Sequence, residues 1–172
     1  MPDLHENPFS LVYDGLMRLA RDDAGLSELI AAKNFIDLVD LRELRYPLKD
    51  RVQDADFPEL TLVDQAIGGQ MIRNSSSSMV QKTYAWIIVT GQERLFERFY
   101  PVEWHLFRAM IGWRTVLTEL EWDGQGFVKK VDFADSTAAL AEALNARGVR
   151  GWSCLWQINV EMWFPTNSLH ED

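Results

Sequence analysis

Residues 152–164, Trp152-Ser153-Cys154-Leu155-Trp156-Gln157-Ile158-Asn159-Val160-Glu161-Met162-Trp163-Phe164, decide the fold class. Trp152, Cys154, Trp156, Ile158, Val160, Met162 and Phe164 occupy every second position, and Ser153, Gln157, Asn159 and Glu161 alternate with them. A period of two places the first set on one face of a β-strand and the second on the other, so one face of this strand is buried. Leu155 and Trp163 break the polar side. A sheet buried on one face does not carry large apolar groups on the other unless something covers them. The cover is either a helix of the same chain or a neighbouring subunit, and the pattern leaves both open. Pro165 ends the strand.

Working back from this strand, Ser136 to Arg147 reads as an alanine-rich helix with Ser136 as a cap and Gly148 as its stop. Phe127 to Phe133 reads as a short strand, entered through a turn at Asp123-Gly124-Gln125-Gly126. Glu93 to Leu117 is the strongest helical region. Leu95, Phe99, Val102, Leu106, Met110, Trp113 and Leu117 recur at steps of three or four and form one apolar stripe. Pro101 predicts a kink or break near Tyr100.

Val80 to Thr90 and Pro58 to Ile67 read as strands, with Gly68 and Gly69 loosening the chain between them. Arg73, Asn74, Ser75, Ser76, Ser77 and Ser78 form a polar, flexible tip, so the two strands make a long antiparallel hairpin. Phe35 to Leu44 alternates weakly as a strand, and Arg45 to Phe57 is a charged connector. Asn7 caps a first helix in which Pro8 sits in the first turn and Phe9, Val12, Leu16 and Leu19 share a face. A second helix is expected from Leu26 to Ala32. The simplest arrangement is α+β: a mainly antiparallel sheet with helices packed on one face and a long β-hairpin with a flexible tip. The expected organisation is a single domain over residues 1–172, with an ordered core of about 8–165 and frayed ends.

The 172 residues, 47% hydrophobic and 25% charged, suffice for a core that needs no disulfide or metal staple. The formal net charge of -9 is repelled by phosphate backbones and anionic lipid headgroups, which disfavours nucleic-acid and membrane partners. A single cysteine, Cys154, excludes an internal disulfide and reads as a buried, inert thiol. The first residues lack the basic and apolar regions of a signal peptide, and no apolar run approaches the ~18 residues of a membrane span, so a cytoplasmic setting is expected.

The search for chemistry returns little. His5, His105 and His170 lie far apart, and no HExxH or CxxC spacing occurs, so no metal is expected. His105, beside Trp104, reads as a surface or interface histidine. The serines from Ser75 to Ser78 have no GxSxG frame, and no GK[ST] follows Gly68-Gly69. The pairs Asp54/Asp56 and Glu119/Glu121 read as solvated carboxylates. The expectation is a protein that is not an enzyme and carries no cofactor. One enzymatic or small-molecule alternative remains, an aromatic pocket around Trp104, Trp113 and Trp122.

Taken together, the order of these pieces resembles a known family. An N-terminal helix leads to a connector ending in Ala55-Asp56-Phe57-Pro58-Glu59-Leu60 and then a strand. A polar tip follows, then the strand Gln81 to Val89, a helix containing Phe99-Tyr100-Pro101-Val102, and a Trp-led strand from Gly151-Trp152 through Val160-Glu161-Met162. Over most of Pro8 to Phe164 this looks like the tail terminator proteins of long-tailed bacteriophages and their tail-completion and neck relatives. The segment Leu26 to Asp54 and the insert around Ser136 to Gly148 are longer than that family's pattern.

The resemblance implies a structural virion protein, assembled in host cytoplasm. It implies a homo-oligomeric ring, commonly a hexamer, that ends the tail tube and joins it to the head connector. Its partners would be its own copies, the tail tube protein and the connector proteins. Genomic DNA would pass the channel without specific binding, which an acidic surface favours. A ring needs unlike patches in contact. The candidate interface residues are the Arg73, Asn74, Ser75, Ser76, Ser77 and Ser78 tip, Arg45 and Arg51 of the connector, and Leu155 and Trp163. Two other readings stand beside it. One is another head–tail joining or tail tube protein. The other is a small acidic inhibitor-like domain that binds a basic partner.

Overall fold

The computed structural model describes residues 7–38, 58–73, 77–89, 97, 99–134 and 152–165, with backbone alone at 37–38, 65–73, 77, 89, 134 and 152–156. In chain order the elements are α1 (Pro8–Asp22), α2 (Ala24–Leu29), a 3-10 turn (Ala32–Asn34), β1 (Phe35–Leu38), β2 (Glu59–Arg73) and β3 (Ser77–Val89). They are followed by α3 (Tyr100–Ile111), α4 (Arg114–Leu117), β4 (Glu121–Trp122), β5 (Gln125–Gly126), β6 (Val128–Ala134) and β7 (Trp152–Pro165). The fold is α+β. Its five-stranded sheet has the order β1-β2-β3-β7-β6, and every pairing is antiparallel except the parallel β1–β2. The alternating strand of residues 152–164 is β7, held between β3 and β6.

The start of α1 follows from its first residues. The Asn7 side chain accepts a hydrogen bond from the Ser10 amide at 2.9 Å, and Pro8 occupies the first turn, where its missing N–H leaves no bond unmade. Asp23 repeats the device for α2, accepting from the Leu26 amide at 2.9 Å. Pro101 likewise stands in the first turn of α3, with π-helical backbone at residues 97 and 99 before it, so the break expected near Tyr100 falls at this helix start. The expected apolar stripe from Glu93 to Leu117 is therefore divided between α3 and α4, with a turn at Gly112 and Trp113. Its residues Phe99, Val102, Leu106, Met110, Trp113 and Leu117 are nevertheless all buried.

One face of the sheet carries the helices. Leu60 and Leu62 of β2, Tyr84, Trp86 and Ile88 of β3, and Ile158, Val160, Met162 and Phe164 of β7 are buried in one cluster with the inner sides of α1 to α4. Two polar side chains bond across this interface. The Trp86 indole N–H donates to Met110 Sδ at 3.3 Å, and the Tyr13 hydroxyl donates to the Leu62 carbonyl at 2.8 Å. Gly15 lets α1 close on α4: a Cβ there would lie 2.6 Å from Leu117 Cδ2.

The opposite face divides in two. Toward β1 it is apolar and closed, with Val63, Ala85 and Ile87 buried and the Thr61 hydroxyl donating to Glu59 Oε1 at 3.1 Å. Toward β6 it is polar. There the Thr83 hydroxyl donates to Asn159 Oδ1 at 2.7 Å, and an exposed Lys130–Asp132 ion pair spans 2.6 Å.

Two expectations are corrected. Gly68 and Gly69 do not end a strand: β2 runs through them to Arg73, and its pairing with β3 shifts register between Gln65 and Gln70. The expected tip narrows, because Arg73 ends β2 while Ser77 and Ser78 begin β3, and the buried Ser78 sits opposite Arg73 and Phe164. The weak strand at Phe35 forms over Phe35–Leu38 and adds the one parallel edge. The turn at Asp123-Gly124 is a two-residue hairpin between β4 and β5, with φ of 54° and 69° as such turns require. The connector from Arg45 to Phe57 and the helix expected from Ser136 to Arg147 lie outside the described residues.

Candidate functional site

Helix α3 is apolar on two sides. Its inner side, Val102, Leu106 and Met110, joins the core. Its outer side carries Tyr100, Trp104 and Ile111, which are 48%, 57% and 55% exposed. Phe107 lies between them, half-buried and stacked on Trp104 with ring centroids 6.2 Å apart and planes at 27°. Tyr100, Trp104, Phe107 and Ile111 step by four, three and four, so they form one line along the helix. Among the described residues the other large exposed apolar side chain is Phe9, and the Lys82 ammonium lies 4.6 Å from its ring centroid. On α3 itself Glu103 and Arg108 lie on either side of this line.

The residues singled out from sequence scatter around this surface. Leu155 and Trp163 share a face of β7 but stand at opposite ends. Leu155 is in register with Ile87 in the closed apolar end, and Trp163 with Met79 near the polar end. At ~3.3 Å per residue their eight-residue separation is about 26 Å. Trp163 is half-buried, and its indole N–H donates to the Glu161 carboxylate on the same strand. Its backbone amide donates to the Phe127 carbonyl at 2.8 Å. Arg73 and Ser77 are placed by backbone at the ends of β2 and β3, and Ser78 is buried. Asn74, Ser75, Ser76, Arg45 and Arg51 lie outside the described residues. The pocket expected around Trp104, Trp113 and Trp122 does not take shape. Trp113 is in the core, Trp122 meets Phe164 edge-on at 5.2 Å, and Trp104 faces outward.

Three polar clusters complete the search. His105 is half-buried where α3 meets α2: its ring fills the space over Gly25, where a Cβ would lie 2.0 Å from the ring. Its Nδ1 stands 3.5 Å from Asp23 Oδ1, the atom that caps α2. Asp64 and Lys82 pair at 2.8 Å beside Tyr84, whose hydroxyl donates to the Phe9 carbonyl at 3.2 Å. Burial, and then the Asp64 carboxylate and Tyr13, push the Tyr84 phenol far above its ordinary value, so it stays neutral and donating. A groove of about 260 Å³ on α1, lined by Asp14, Met17, Arg18, Arg21 and Asp22, mixes both charge signs on a single helix. Among the described residues no group of three or more His, Cys, Asp or Glu side chains could hold a metal ion, and no helix is long and apolar enough to cross a membrane. No protein-family model matches the chain, and no curated protein matches it in sequence.

Proposed function

We propose that the chain is a structural virion protein that assembles through protein contacts, forming a ring that ends a phage tail tube and joins it to the head connector. The observation that carries this reading is the sheet. It is mainly antiparallel, with helices layered on one face and a long β2–β3 hairpin, as the resemblance to tail terminators implies. The exposed aromatic side of α3 supplies apolar surface for a protein partner on an otherwise acidic molecule. The ring would hold its own copies, the tail tube protein and the connector, and would sit at the tail or neck of the virion. Its acidic surface would let DNA pass without adhering.

The test is the mass of the purified protein by light scattering over a concentration series, alone and with tail tube protein, and negative-stain images of the same samples. Rings of about six copies, alone or on tube ends, are the expected result. Particles that stay monomeric in both conditions, with tube length unaffected, overturn it. A protein that instead polymerises into tubes is a tube subunit. The inhibitor-like reading is favoured by the net charge of -9 alone, and predicts binding to a basic protein that weakens steeply with salt.

A further inference from the structure

We draw no further inference here: the strongest candidate, the outer face of α3 on which Tyr100, Trp104 and Ile111 stand about half exposed, carries nothing because nothing among the described residues shows what covers it.

Discussion

The two sides of α3 are almost equally apolar and have opposite fates. Val102, Leu106 and Met110 point into the sheet and are buried, while Tyr100, Trp104 and Ile111, on the same twelve-residue helix, are about half exposed. The inner side is matched by neighbours of fitting shape, including the indole of Trp86 against Met110. The outer side keeps about half of the surface of Tyr100, Trp104 and Ile111 exposed. Hydrophobicity alone therefore does not say which residues form a core. The register of the helix against the sheet decides it, and the remainder is available for assembly.

The sharpest test of this contrast is the deepest inner residue. Leu106→Ala removes methyl groups from a fully packed site between helix and sheet and should cost about 2–5 kcal/mol of unfolding free energy, measured by urea denaturation. If Leu106→Ala cost no more than an outer substitution, the division of α3 into two sides would be wrong.

Sequence reading recovered the inner side and missed the outer one for one reason. The stripe from Phe99 to Leu117 follows the helical period and was legible, as were the caps at Asn7 and Pro8 and the alternation of β7. Trp104, Phe107 and Ile111 obey the same period a third of a turn or more away. A sequence that is apolar on several sides does not announce which side the sheet will take. Their four-three-four spacing was the signal that could have found them. Trp163 was legible as an anomaly, but its meaning was not, because the Glu161 acceptor two residues away only becomes a partner once both sit on one face of β7. Likewise Gly68 and Gly69 read as loosening the chain after a strand over Pro58 to Ile67, since glycine weakens strands. The strand instead continues, and its pairing with β3 resumes at Gln70 after a register shift from Gln65. The burial of Ser78 arises from pairing to both Arg73 and Phe164, which no local pattern encodes.

A second test concerns what holds α3 to α2. The His105 ring occupies the space where a Gly25 side chain would go, so Gly25→Ala forces the ring or the helix to move. The expected cost is about 1–3 kcal/mol. His105→Ala should recover much of that loss in the double variant, a non-additivity that thermal or urea unfolding of the four proteins would read. Additive losses would show that the two residues do not share the space.

Alkali probes the sheet side of the same interface. The phenol of Tyr84 is held protonated above its ordinary value by burial, the Asp64 carboxylate and Tyr13. The unfolded chain releases this proton near pH ~10 while the folded chain keeps it, so folding stability is full below that pH and falls as pH rises above it. Tyr84→Phe should flatten this alkaline slope, at a cost near neutral pH of about 1 kcal/mol for the lost bond to the Phe9 carbonyl. An unchanged slope in Tyr84→Phe would assign the alkaline loss to other groups.

The smallest effect on folding belongs to the outer side of α3, and its smallness is the point. Trp104 leans on Phe107 but has no buried cavity to leave behind, so Trp104→Ser should shift unfolding free energy by no more than about 0.5 kcal/mol at dilute concentration. If Trp104→Ser instead destabilises the dilute monomer as strongly as Leu106→Ala does, Trp104 belongs to the core of a single copy, and both sides of α3 have the same work.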